Sequence, residues 1–153
     1  MTRSLLSSLV LAPIALLAVL SGCGENDSSS RRGLRADCSF AFPKAKLCAE
    51  LVWKTKPEVR KLTEATLRFF EADGDSKKGP FVRPDADVNV PSPFMPTMGH
   101  DSGKTPKTTR VFGSKSDYKV ENVWFNMVGP WAITVELKKD GRVIETSSLS
   151  LRL

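Results

Sequence analysis

The segment WAITVELKKDGRVIETSSLSLRL, residues 131–153, carries the clearest indication of the fold. In its first part, apolar side chains occupy every second position: Trp131, Ile133, Val135 and Leu137. A period of two is typical of a β-strand with one buried face. The pair Asp140-Gly141 predicts a tight hairpin turn, and alternation returns towards Leu153. We therefore expect two antiparallel strands joined by a short turn at this end of the chain.

Further short alternating segments precede this hairpin. They cover residues 47–53, 65–69, 86–90 and 118–128, with turn signals at Pro57, 72–75 and Gly129-Pro130. No segment carries a sustained helical period. Six or seven short strands separated by turns are typical of two packed antiparallel sheets. The expected fold is all-β, an antiparallel immunoglobulin-like β-sandwich of about seven strands.

The N-terminus has the pattern of an export signal. Arg3 precedes an apolar run from Leu5 to Leu20, and the tetrad LSGC ends at Cys23. The run is too short to span a bilayer, and small residues stand at the expected cut site. A cysteine in this place resembles the lipobox of bacterial lipoproteins, in which the cysteine is lipidated and becomes the new N-terminus. The alternative is an ordinary signal peptide followed by an incidental cysteine.

Three regions follow from the lipoprotein interpretation. Residues 1–22 are a signal peptide, 23–37 a lipidated N-terminus with a polar flexible tether, and 38–153 the sandwich domain. The expected location is the bacterial cell envelope, where acylated Cys23 enters the lipid bilayer and the domain faces the periplasm. Gly24, rather than Asp, follows the anchor and favours the outer membrane over the inner one.

The remaining cysteines and the charges agree with export. Cys38 and Cys48 form an even pair, which in an oxidising compartment predicts a disulfide. Paired thiols as metal ligands are the alternative. The formal charge of +6 becomes +5 without Arg3, and the charges are spread along the chain. A scattered excess favours a solvated surface, attracted to anionic lipid headgroups, and predicts no nucleic-acid partner.

The segment 91–109 interrupts the strand pattern and is long for a loop in a compact domain. It contains MPTMGH, with Met95, Met98 and the only histidine of the chain, His100. Thioether sulfur suits Cu(I), and imidazole suits both oxidation states of copper. Pro96 restricts the backbone and Gly99 permits a bend, so the three side chains can meet at one ion.

This segment and the strand region after it resemble the YtkA-like/FixH-like domain. In that family a similar Met-Pro-x-Met-x-His segment precedes a strand that ends in Met-x-Gly-x-Trp, matched here by Met127, Gly129 and Trp131. The resemblance is strongest over residues 94–137 and implies an immunoglobulin-like fold and an exported or membrane-anchored protein. Several members are associated with copper handling or cytochrome oxidase assembly. The ligands that it implies for a copper ion are Met95, Met98, His100 and Met127.

Two features depart from that family or weaken the copper assignment. Asp101-Ser102 follows the histidine, where the family often has glycine or a second histidine. Methionines also fill gaps in cores, so the loop can instead pack over the open end of the sandwich above Met127 and Trp131.

The expected function is a copper-binding or copper-delivering lipoprotein with a copper-receiving or other envelope protein as partner. The alternative is a metal-free structural or protein-interaction lipoprotein, with Trp124 as a candidate contact. An enzyme is not expected, because His100 has no free cysteine to activate if Cys38 and Cys48 are bridged. No particular serine is marked as its partner either.

Overall fold

A computed structural model describes residues 38–153; the signal peptide, Cys23 and the tether lie outside the described residues. The described residues form eleven strands: β1 (Phe40–Phe42), β2 (Leu47–Trp53), β3 (Thr63–Asp75), β4 (Gly79–Phe81), β5 (Asp87–Asn89), β6 (Phe94–Met95), β7 (His100–Asp101), β8 (Lys107–Arg110), β9 (Asp117–Val123), β10 (Pro130–Lys139) and β11 (Arg142–Arg152). Within this range there is no helix long and apolar enough to cross a membrane.

The strands form two antiparallel sheets. One has the order β1-β2-β3-β9-β8 with β4 beside β3, and the other has the order β11-β10-β6-β7 with β5 beside β10. Between them lies one core, whose largest buried side chains are Trp131, Phe40, Phe42, Phe69 and Phe125. The predicted all-β antiparallel sandwich is confirmed. Its strands outnumber the expected seven because five of them have only two or three residues.

The long hairpin, β10 with β11, forms as the sequence predicts. Ten residue pairs run from Pro130 with Arg152 to Lys139 with Arg142. Asp140 and Gly141 both have positive φ, 52° and 75°, as the tightest hairpin turn requires. The apolar positions of β10 are buried and the positions between them are half-buried, so β10 contributes one full face to the core.

The strand expected over residues 118–128 ends earlier, at Val123. Thr63 of β3 pairs with Val123 and Ala65 pairs with Val120, so β9 contains one additional residue, a β-bulge. Asn122 lies in this bulge with φ of 60°, a conformation that asparagine tolerates better than most residues. Because the bulge shifts the alternation by one, both Val120 and Val123 face the core.

The prediction of a turn at residues 72–75 is wrong, because β3 continues to Asp75. Gly74 is buried within the strand, where a Cβ would lie 3.1 Å from the carbonyl oxygen of Gly79. The glycine therefore allows a close approach of β4. The reversal comes at residues 76–78, where Asp75 Oδ1 accepts the backbone N–H groups of Lys77 and Lys78.

The predicted disulfide is present and secures one edge of the sandwich. Cys38 and Cys48 are bonded with their Cα atoms 5.4 Å apart, which ties the segment before β1 to β2. A side chain of β11 also holds the turn after β1, since the Glu145 carboxylate accepts the N–H groups of Lys44 and Ala45. All the core residues lie between Phe40 and Leu153. Residues 38–153 therefore contain a complete core and can fold as one unit.

Candidate metal centre

The predicted irregular loop contains a second, much smaller hairpin, β6 with β7, called the short hairpin below. Phe94 pairs with Asp101, and Met95 pairs with His100. The carbonyl oxygen of Met95 accepts the N–H groups of Met98 and Gly99, at 3.1 and 3.0 Å. Because of this reversal, residues five positions apart in the sequence become direct cross-strand neighbours. The segment 91–109 is thus less irregular than expected, and it also includes the start of β8.

The ring of His100 is held in one orientation by a hydrogen bond to the backbone of the next residue. Its Nδ1 lies 2.8 Å from the carbonyl oxygen of Asp101. A carbonyl oxygen can only accept, so Nδ1 donates and the neutral ring keeps its lone pair on Nε2. Nε2 forms no hydrogen bond within residues 38–153. Metal-binding histidines are commonly fixed in this way, with one ring nitrogen donating to a carbonyl and the other facing the ion.

Met95 is a buried side chain that packs against a glycine. It is 2% exposed. A Cβ added to Gly129 would lie 3.2 Å from Met95 Cε and 3.8 Å from its Sδ. Gly129, with φ of 136°, therefore leaves the space that the thioether occupies. Backbone hydrogen bonds in both directions between Gly129 and Leu153 hold this wall of the site in place.

Trp131 connects the remaining parts of the site. Its ring makes an edge contact with His100, with centroids 6.2 Å apart. Its Nε1–H donates to the carbonyl oxygen of Met127 at 3.1 Å. On the core side it packs on Phe125, with centroids 5.5 Å apart. The sequence marked Trp131 as an apolar strand position, as a motif position and as a residue beneath the loop. The structure adds its contacts with His100 and with the Met127 backbone.

The predicted ligands differ in how they are held. Met95 and His100 are paired across the short hairpin, and Met127 is partly buried against the core and bonded through its backbone to Trp131. Met98 lies at the turn of the short hairpin and is 63% exposed. Met95 thus contacts Gly129, while His100 through its ring and Met127 through its backbone contact Trp131; the fourth candidate, Met98, is accessible from solvent.

The chemistry of these donors favours a soft metal ion. Among residues 38–153 no three His, Cys, Asp or Glu side chains gather to hold a metal. A centre at the short hairpin thus depends on thioether sulfur together with one imidazole, a set that suits Cu(I) rather than Mg²⁺ or Ca²⁺. The nearby Asp101 carboxylate accepts the N–H of Gly103 at 2.7 Å and is engaged in its own loop.

Trp124, the candidate contact of the metal-free alternative, lies just beyond β9. It is half-buried. The ammonium of Lys104 lies over its ring, 4.6 Å from the centroid, in a cation–π contact. Part of this indole is therefore already covered by the chain itself.

No protein-family model, curated protein or solved structure matches this chain. The resemblance to the YtkA-like/FixH-like domain stays a prediction, carried by residues 94–137.

Proposed function

We propose that this protein is a membrane-anchored bacterial lipoprotein whose exported β-sandwich domain binds copper at the short hairpin and delivers it to an envelope partner. The observation that carries the metal assignment is the cross-strand pair of Met95 and His100, with His100 Nδ1 hydrogen-bonded to the Asp101 carbonyl. Cys23, after its apolar run, carries the assignment of the anchor.

The ligands divide into a fixed part and an accessible part. Met95 is buried beside Gly129, and His100 is oriented by the Asp101 carbonyl, so neither has to be ordered when a metal arrives. Met98 is the exposed donor at the tip of the turn. An incoming or departing Cu(I) ion meets this thioether first, which suits a protein that passes the ion on.

A titration with Cu(I) against a competing chelator tests the copper assignment. The protein comprises residues 24–153, which include the whole folded unit. We expect one ion per chain and an affinity about 100-fold lower in the double variant Met98→Leu/His100→Gln. Met→Leu conserves volume, so unfolding midpoints should be similar and separate loss of ligands from loss of fold. Equal affinities in the two proteins would refute the site.

Acylation is tested separately in cells that express the full chain. We expect incorporation of labelled palmitate and recovery in the membrane fraction, both abolished by Cys23→Ser. Cys38→Ser serves as the matched cysteine control and should keep the label. Processing without acylation would contradict the lipoprotein assignment and leave the copper assignment to its own test.

The second function is a metal-free interaction lipoprotein, and the burial of Met95 favours it. A methionine that is 2% exposed and packed on Gly129 is also an ordinary core residue. A folded domain that binds no Cu(I) but retains an envelope protein through Trp124 would support this function.

A further inference from the structure

The β8–β9 loop, residues 111–116, displays a fully exposed aromatic ring. Phe112 is 102% exposed, so it has no packing partner among the described residues. The ring stands on an ordered turn, since Ser114 N–H donates to the Val111 carbonyl and Gly113 has φ of 81°. Ser114 Oγ also accepts the N–H groups of Ser116 and Asp117. Phe112 is therefore held outward by a structured loop.

Cations from three parts of the chain surround this loop. Two adjoining depressions, of about 460 and 520 Å³, share Phe81, Ser114 and Lys115 in their walls. Their charged lining consists of five cations, Arg68, Lys77, Arg83, Arg110 and Lys115, and one carboxylate, Asp117. The charges are scattered in the sequence, but the fold collects these five at the base of one loop.

The single carboxylate is already neutralised. Arg68 donates to both oxygens of Asp117, at 2.9 and 3.1 Å, and Ser116 Oγ donates to Oδ1. By contrast, Lys77, Arg110 and Lys115 form no ion pair with any carboxylate of residues 38–153. The loop thus combines an unpacked aromatic ring with three nearby cations, Lys77, Arg110 and Lys115, that pair with no carboxylate of the described residues.

We infer that this surface, Phe112 with Lys77, Arg110 and Lys115, docks on an anionic lipid bilayer. Aromatic rings partition into the interfacial layer of membranes, and cations beside them are attracted to acidic headgroups. A single ring on a protruding turn is suited to insertion. Single-stranded nucleic acids instead use several stacking rings along a basic groove.

Docking of this surface goes beyond the proposed function, because its contacts with the bilayer require neither copper nor acylation of Cys23. One ring and a few cations give weak, reversible attachment by themselves. A lipid anchor on a short tether would hold the surface near the bilayer and raise its effective concentration there. Docking would then fix which side of the sandwich faces the membrane.

Sedimentation of residues 24–153 with vesicles tests the inference. The vesicles contain phosphatidylcholine alone or phosphatidylcholine and phosphatidylglycerol mixed about two to one. We expect binding to the acidic vesicles only, weakened by salt. Phe112→Ala should lower partitioning about tenfold, while Leu62→Ala, an exposed apolar control on another loop, leaves it unchanged. Since Phe112 packs on no other residue in the range 38–153, its variant should unfold at the same temperature.

The charge contribution has its own matched pair. Lys115→Glu and the exposed control Lys56→Glu change the net charge equally, and only the first should weaken binding. If Lys115→Glu and Lys56→Glu weakened vesicle binding equally, the effect would be one of net charge alone, and the inference would be overturned. Binding that survives Phe112→Ala, with equally strong binding to heparin, would assign the surface to soluble polyanions and overturn it too. Neither outcome bears on the copper titration.

Discussion

The two hairpins of the five-stranded sheet are stabilised in different ways. The long hairpin has ten backbone pairs, and its apolar side chains fill the core. The short hairpin has two pairs and joins β10 through a single one, between Phe94 and Ala132. Its position depends on side chains instead, with Met95 against Gly129 and His100 against Trp131.

This difference indicates where a site can form on the fold. Along β10 the inward side chains are committed to packing and the backbone groups to the ladder. At the short hairpin few backbone groups fix the structure, so side chains both position it and remain near the surface. Met98 and His100 are in reach of a ligand for this reason. The following changes test this contrast, from the largest expected effect to the smallest.

Trp131 belongs to both regions, and its loss should have the largest effect. It is buried and contacts Phe125, His100 and the Met127 carbonyl. Trp131→Ala should lower the free energy of unfolding by about 3–5 kcal/mol, measured by urea denaturation. Trp131→Phe keeps a ring but no N–H and should cost less. A cost below about 1 kcal/mol for Trp131→Ala would show that the hairpins do not share this support.

The disulfide ties the segment before β1 to β2 in the six-stranded sheet, whereas the short hairpin belongs to the five-stranded sheet. The double variant Cys38→Ala/Cys48→Ala should lose about 2–3 kcal/mol of stability. Without the disulfide, the short loop between the two positions is no longer closed, so the unfolded chain has a higher conformational entropy. Cu(I) affinity of the folded protein should not change. A copper affinity that falls together with stability would mean that the two regions are coupled. Without reductant, unfolded residues 24–153 should show no free thiol.

Gly129→Ala tests whether side-chain packing positions the short hairpin. We expect a cost of about 1–3 kcal/mol, from the positive φ and from the contact with Met95 Cε. Adding Met95→Ala to Gly129→Ala should remove that contact. The double variant should therefore lose less stability than the sum of the losses in the two single variants, by about 0.5 kcal/mol or more.

The long hairpin supplies a matched control for this cycle. Gly141 has φ of 75° but no atom within 4 Å of an added Cβ, so Gly141→Ala meets strain alone. The loss of stability in the double variant Gly141→Ala/Met95→Ala should therefore equal the sum of the losses in the two single variants. If the stability losses of Gly129→Ala and Met95→Ala were also strictly additive, this would contradict the packing of Met95 on Gly129.

The smallest expected effect concerns the other sheet, outside both hairpins. Hydrogen bonds from Arg68 hold the pKa of Asp117 below its usual value. A carboxyl with a lowered folded pKa stabilises the fold above its unfolded pKa, about 3.9, and this contribution is lost as pH falls through the folded pKa. Asp117→Asn should therefore cost about 1–2 kcal/mol at neutral pH and progressively less in acid.

Urea denaturation across this pH range measures that difference. Asp73→Asn, which removes an exposed carboxylate, should leave stability unchanged at every pH. A deficit in Asp117→Asn that persists equally at low pH would contradict a contribution from the ionised carboxylate.

Local signals explain which parts of the fold were predictable. The long hairpin follows from alternation and from Asp140-Gly141, both of which act within a few residues. The bulge in β9 also had a signal in the sequence, since the apolar positions change from even to odd numbers between Val120 and Val123. Gly74 was misleading because its role depends on β4, which approaches it only after folding.

The candidate site was predictable in residue type but not in arrangement. Methionine and histidine at this spacing indicated a soft metal, whereas strands of two residues have no detectable period. The support from Gly129 and Trp131 comes from a different part of the chain, so it emerged only with the fold. The cations around Phe112 were missed for the same reason, because Lys77 and Lys115 are far apart in sequence.

X-ray absorption at the copper edge of Cu(I)-loaded residues 24–153 tests the central claim most directly. We expect one imidazole nitrogen at about 2.0 Å and at least two sulfur ligands at about 2.3 Å, by analogy with zinc. Met98→Leu should remove one sulfur from this shell. A copper shell made of nitrogen and oxygen alone, unchanged by Met98→Leu, would contradict copper binding by the thioethers of this site.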